Sequence, residues 1–317
     1  MRNGWIIAGA AVGALALLEA GISAYFYRRT MIRSNAKRER TIKMAGTDWN
    51  QYMPLIQERK EKLLAQPLED VFLTSEDGLK LHGTWVKNTD GKETTKVVIC
   101  FHGYTSEGLS DYIGHSDYYL RNGYAMLLPD ARAHGQSEGH YIGFGCKDRY
   151  DARKWIDWVI NRCGSDVQIL LHGTSMGGAT VLMTGGLELP PQIKGIVSDC
   201  AFTSPKYVFT HVLHSMYHMP AFPIIQIADA VNKKKAGYGL DECNAAREAA
   251  KIKVPVLFIH GSEDTFVPCS MCDEIYDSCS APKTKVIVEG AHHAESYYKD
   301  TGTYEKALDS FTGGIIK

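Results

Sequence analysis

The residues best placed to do chemistry fall into short clusters, each following an apolar β-branched run. Val167–Leu171 leads through His172 into Gly173-Thr174-Ser175-Met176-Gly177-Gly178, and a helix-forming stretch begins at Ala179. A Gly-x-Ser-x-Gly sequence between strand and helix makes a sharp turn that leaves the serine hydroxyl exposed at the helix start. Ser175 is therefore the candidate nucleophile. The Met176 N–H, at a helix N-terminus, is a candidate donor to the oxyanion of an attacked carbonyl. Val254–Ile259 leads into His260-Gly261-Ser262-Glu263-Asp264, and Lys285–Val288 into Glu289-Gly290-Ala291-His292-His293-Ala294-Glu295. A serine needs a neighbouring base, and the base needs an orienting acid. One of His292 and His293 is the expected base. Asp264 is the expected acid, with Glu263 as its competitor. After Lys96–Phe101 comes His102-Gly103-Tyr104, where glycine lets the backbone turn toward a pocket. The Tyr104 N–H is the expected second oxyanion donor, and His102 reads as a loop-fixing side chain rather than a base.

The elements that must position these groups alternate. Apolar runs recur at 96–101, 125–128, 167–171, 193–198, 254–259 and 285–288, with helix-length segments between them such as 146–163. That alternation predicts a mostly parallel sheet covered by helices on both faces. Ahead of it, Leu68–Ser75 and Leu79–Lys87 flank Glu76-Asp77-Gly78 and predict an antiparallel hairpin. Residues 47–66 read as a polar helix bridging to the domain. The stretch 201–250 is too long for a simple connection between two strands.

Residues 68–312 resemble the α/β-hydrolase superfamily, and are most similar to bacterial membrane-anchored serine hydrolases allied to its prolyl-oligopeptidase-like branch. The family pattern Ala-Gly-His aligns with Ala291-His292-His293, which makes His293 the base and His292 a departure where glycine is usual. Asp130-Ala131-Arg132-Ala133-His134-Gly135-Gln136-Ser137 matches a supporting loop of the family, with Ala133 where glycine is commoner. The resemblance implies an α/β fold of the α/β-hydrolase type: a mostly parallel sheet flanked by helices, with a small helical cap at about 203–250 shaping an apolar pocket. It implies a catalytic Ser175, Asp264 and His293, an oxyanion hole from Tyr104 and Met176, and neither metal nor organic cofactor. The expected reaction is hydrolysis of carboxylic esters of small-molecule or lipid acyl substrates. Peptidase, thioesterase and lysophospholipase activities are the alternatives. The peptidase reading lacks an identifiable acidic site for a peptide amine and a propeller domain. A non-catalytic binding protein is the least favoured reading, because it has no need of all three triad side chains.

The N-terminus carries a separate signal. Residues 5–27 are almost wholly apolar apart from Glu19, long enough to cross a ~30 Å hydrocarbon core. The expectation is a transmembrane anchor over 1–28, a basic and helical linker over 29–66, and a catalytic domain over 67–317. Residues 28–43 hold seven Lys/Arg against Glu39 alone. The positive-inside rule then predicts a single-pass membrane protein with a cytoplasmic catalytic domain and membrane lipid as a partner. The 317-residue chain has a net charge of −1, 44% hydrophobic and 22% charged residues. That excludes a disordered chain or a polytopic membrane protein, and gives no whole-protein case for nucleic-acid binding. Cys269, Cys272 and Cys279 share a helical face, as do His211, His214 and His218, but neither set has the partners of a metal site. The eight cysteines read mainly as small buried hydrophobes.

Overall fold

The structure, a computed structural model, describes residues 19–33, 46–88 and 95–316. Its centre is an eight-stranded sheet in the order β1-β2-β4-β3-β5-β6-β7-β8. The strands are β1 (Leu68–Thr74), β2 (Lys80–Val86), β3 (Lys96–Phe101), β4 (Ala125–Pro129), β5 (Gln168–Thr174), β6 (Ile193–Asp199), β7 (Val256–Gly261) and β8 (Lys283–Val288). β1 and β2 form the expected antiparallel hairpin, and β3 to β8 pair in parallel. β7 starts later than the apolar run because Pro255 has no N–H to give the ladder. Its carbonyl still accepts from Ile196 N–H at 3.0 Å.

Successive side chains point to opposite faces, so the central strands feed two cores. Val97, Ile99 and Leu171 join one, with Trp155, Ile156 and Val159 from α5 (Asp148–Cys163) and Val181 and Leu182 from α6 (Met176–Gly185). Val98, Cys100 and Leu170 join the other, with Tyr118 and Tyr119 from α4 (Ile113–Arg121) and Tyr304 and Leu308 from α12 (Thr301–Thr312). Between β6 and β7 lie α7 (Pro205–Tyr217), α8 (Ile224–Lys235) and α9 (Ala245–Ala249). α7 and α8 stand over the sheet as a cap. α9 instead packs on α6. The small residues Ala245, Ala246 and Ala249 let it approach the buried end of α6, so the last part of the 203–250 stretch belongs to the helical layer.

Two N-terminal segments dock on the domain. Residues 47–66 contain a 3₁₀ turn (Trp49–Tyr52) and α2 (Met53–Leu64). α2 packs on α4 and buries Leu63 completely in the second core. Its polar face hides this anchoring, which rests on one fully buried leucine rather than on a continuous apolar stripe. Residues 19–31 form helix α1. Ser23, Tyr27 and Met31 of α1 are buried against the domain, although 19–27 closes the stretch expected to cross a membrane. Residues 1–18 of that expected anchor, and 34–45 of the expected linker, lie outside the described residues. Among the described residues no helix is long and apolar enough to cross a membrane.

Candidate active site

Ser175 sits between β5 and α6 at φ 55° and ψ −112°. A non-glycine residue there is strained, and it persists only where its surroundings leave no alternative. Sterics supply that restraint. A Cβ on Gly177 would lie 1.8 Å from the Phe101 carbonyl oxygen, and one on Gly173 would lie 2.1 Å from the Gly177 carbonyl oxygen. The two glycines thus let α6 press against the ends of β3 and β5. The Ser175 N–H donates to the Asp199 carbonyl at 2.8 Å, tying the turn to β6.

Three separate strand ends meet in one hydrogen-bonded chain. His293 Nδ1 lies 2.6 Å from Asp264 Oδ2, and His293 Nε2 lies 2.8 Å from Ser175 Oγ. With Nδ1 facing a carboxylate, the proton belongs on Nδ1, which leaves Nε2 to accept the serine proton. All three residues are buried. Asp264 follows β7, and its Oδ1 accepts from Phe266 N–H at 3.0 Å and Val267 N–H at 2.8 Å. Burial alone would raise its pKa. Electrostatic attraction to His293 and the hydrogen bonds from His260 and His293 outweigh burial and hold the carboxyl well below the usual carboxylate range.

The competitors are placed elsewhere. The Glu263 side chain is exposed. His292 Nδ1 lies 2.9 Å from the Glu263 carbonyl, and its main-chain N–H donates to Glu295 Oε2 at 2.8 Å. The His292 ring lies over Gly46, where a Cβ would come within 2.3 Å of it. A docked N-terminal segment thereby accommodates the bulky residue found where glycine is usual. Tyr52 of that segment donates to buried Glu295 Oε1 at 2.7 Å, bracing the His293 loop from outside.

Met176 follows the serine directly, and Tyr104 lines the same cavity as Ser175. Met176 opens α6, so its N–H has no acceptor within its own helix. The backbone before Tyr104 passes close to Ser175: a Cβ on Gly103 would stand 3.5 Å from Ser175 Cβ. Gly103 N–H is held by Asp111 Oδ2 at 2.7 Å. His102 fixes loops, as its sequence context suggested. Its Nε2 accepts from Ala131 N–H at 2.9 Å, and its Nδ1 faces the Gly103 carbonyl at 2.7 Å. The loop 130–137 is held from within, since Asp130 accepts from Gly108 and Gln136 N–H and lies 2.7 Å from His82 Nδ1. Ala133 has φ 63°, a left-handed conformation that suits the commoner glycine.

Above Ser175 opens a cavity of about 350 Å3, within the ordinary range for small-molecule sites. Phe202, Val208, Leu213 and Ile224 from the cap region line it, with Phe26, Tyr27 and Met31 from α1. Residues that could share a metal ion among the described residues are Cys200, Asp264 and His293. Asp264 and His293 are already committed to each other, and burial pushes the Cys200 thiol up, away from the thiolate a metal needs. All eight cysteines are free thiols. His211 Nε2 meets the Thr265 carbonyl at 2.9 Å, joining the cap to the Asp264 loop.

One part of the site lay beyond the sequence reading. Under the serine turn, Tyr304 donates to Asp199 Oδ2 at 3.0 Å. His172 Nε2 lies 3.1 Å from the Tyr304 hydroxyl, and His172 Nδ1 lies 2.9 Å from the Tyr119 hydroxyl. The local signal was polar residues at the ends of otherwise apolar strands, but their partner Tyr304 is remote in sequence.

Residues 96–239 match the sequence model of the alpha/beta hydrolase fold. The chain is 31% identical over 219 residues to the uncharacterized protein YqkD of Bacillus subtilis, covering 69% of this chain and 72% of that one. The Pyrococcus furiosus esterase Pf2001 superposes with a TM-score of 0.66 at 23% identity, over 81% of this chain and 94% of that one. An acetyl xylan esterase from Paenibacillus sp. R4 superposes with a TM-score of 0.61 at 16% identity, over 85% and 95% of the two chains. The chain belongs to the α/β-hydrolase family.

Burial raises the Asp199 pKa to about 6. The folded protein therefore holds this proton more tightly than the unfolded chain. Stability contributed by the protonated group is lost as pH rises from about 4 toward 7, by on the order of 2–3 kcal/mol. Asp199→Asn removes this titration. Urea denaturation across that range should show the stability of wild type falling relative to Asp199→Asn as pH rises; parallel curves would contradict the assignment.

Proposed function

We propose that the protein is a serine hydrolase that cleaves carboxylic ester bonds. The observation that carries this reading is the continuous Asp264–His293–Ser175 hydrogen-bonded chain at the floor of an apolar cavity. In the proposed reaction Ser175 Oγ attacks the ester carbonyl carbon while His293 Nε2 takes its proton. Asp264 keeps the imidazole in the receptive tautomer and stabilises the cation. The negative charge on the carbonyl oxygen faces the Met176 and Tyr104 N–H groups. The tetrahedral intermediate then breaks the bond to the alkoxy oxygen, which leaves as an alcohol with the proton from His293. Water attacks the acyl-serine in the second half, giving its proton to His293, and the acid departs as Ser175 is restored. Each step uses this chain's own side chains and water. The apolar lining of the cavity favours an acyl group over a charged peptide terminus. The measurement is kcat/KM on p-nitrophenyl esters. Ser175→Ala should abolish turnover, and Asp264→Asn should lower kcat by about 10⁴-fold by misplacing the imidazole proton. Full turnover by folded Ser175→Ala would overturn the reading.

We also propose membrane association of the N-terminus, with the catalytic domain on the cytoplasmic side. The apolar residues 5–18 and the seven basic residues in 28–43 support it. Protease added outside intact cells should leave the catalytic domain uncut; cleavage from outside would contradict the orientation.

A further inference from the structure

We propose that α1 is a wall of the acyl pocket that selects the acyl chain, favouring medium-length chains over acetyl. The proposal deepens the esterase reading and rests on it. Without α1, one side of the cavity over Ser175 would be open, because Phe26, Tyr27, Thr30 and Met31 all line it. Substrate selection by a hydrophobic site depends on which methylenes it can enclose. Here the enclosing surface comes from a segment far outside the motifs of the fold.

α1 is seated by specific contacts rather than by loose apolar adhesion. The Tyr27 hydroxyl donates to Asn232 Oδ1 of α8 at 3.3 Å, and the amide of Asn232 is in turn spent on the Tyr238 carbonyl at 2.8 Å. The Phe26 ring meets Tyr217 of α7 edge-on, with centroids 4.9 Å apart. At the end of α1, Ile142 N–H donates to the Met31 carbonyl at 2.9 Å, and Arg33 N–H donates to the His140 carbonyl at 2.8 Å. The Arg33 guanidinium reaches the Gly135 carbonyl at 2.6 Å, in the loop that supports the site. The helix therefore touches both cap helices, and the residue two places beyond its end reaches the site-supporting loop.

It also touches the oxyanion loop. The Tyr104 hydroxyl donates to the Arg29 carbonyl at 3.2 Å, and the Tyr104 ring stacks on Phe144 at 5.4 Å. The residue proposed to supply an oxyanion N–H thus has its side chain tied to α1. Tyr25 and Tyr217, exposed by 59% and 42%, flank Phe26 and carry the apolar surface outward from the cavity. Arg29 also borders the cavity, but its lining is otherwise mainly apolar, and an acyl chain is the occupant whose chemistry matches that surface.

Thr30 is half-buried on the cavity wall, and among the described residues its hydroxyl bonds to the Phe26 carbonyl of its own helix, so Thr30→Trp can fill the cavity without disturbing the core. The test uses the full chain, p-nitrophenyl acetate, octanoate and palmitate, and decanoate as a non-hydrolysable acyl probe. Wild type should favour octanoyl over acetyl by at least about tenfold in kcat/KM, and Thr30→Trp should cut that ratio by at least about tenfold. Phe26→Ala, which opens the wall, should shift the preference toward palmitoyl. Decanoate should raise the thermal midpoint of wild type and not that of Thr30→Trp. Equal chain-length profiles and equal decanoate shifts in wild type and both folded variants would overturn the proposal. Decanoate protection that depends on Thr30, without ester turnover by wild type, would support the wall while refuting the esterase reading.

Discussion

The site depends on a steric constraint, the absence of any room for a Cβ where α6 meets the ends of β3 and β5. Gly177 faces the Phe101 carbonyl oxygen and Gly173 faces the Gly177 carbonyl oxygen, both at distances no side chain could survive. Only with that contact closed can Ser175 be held at φ 55°. Backbone strain of this kind costs of order 1–3 kcal/mol, and the two packed cores on either side of the sheet offset it. The strained turn lifts Oγ out of the sheet and starts a helix beneath it. The candidate nucleophile and the candidate oxyanion donor thus share one local geometry.

The second dependence is electrostatic. A carboxylate buried as deeply as Asp264 is stable only when its lone pairs are satisfied. The Phe266 and Val267 N–H groups satisfy one oxygen and His293 the other, with His260 Nε2 3.3 Å from it. The imidazole orientation that serves the serine is therefore the same one that relieves a buried charge. Asp199 shows the contrasting case. Among the described residues its carboxyl has no cationic hydrogen-bond partner, accepts from the Tyr304 hydroxyl, and retains its proton to a higher pH.

Much of this arrangement was legible from the chain. The apolar runs, the hairpin at Glu76–Gly78, and Ser175 in its strand–turn–helix context followed from local pattern, because each is dictated by neighbours within a few residues. The choice between His292 and His293 was not local. Two adjacent histidines on a loop differ only in which way the backbone turns them, and His292 is drawn toward Gly46 and Glu263 from elsewhere in the chain. The placement of the N-terminal segments was not local either. An apolar stretch shows that it must leave water, not whether lipid or protein receives it. For Ser23, Tyr27 and Met31 the receiver is protein. α2 reads from its sequence only as a polar bridging helix, because one buried leucine leaves no periodic stripe.

These parts converge on a single claim, that Ser175 is an activated nucleophile in a site completed by His293 and Asp264. The most direct measurement is the reaction of the full chain with diethyl p-nitrophenyl phosphate, following p-nitrophenolate release and locating the adduct by mass spectrometry. The account predicts release of about one equivalent and a diethylphosphoryl group on Ser175. No release from the folded protein, or an adduct on another side chain, would contradict it.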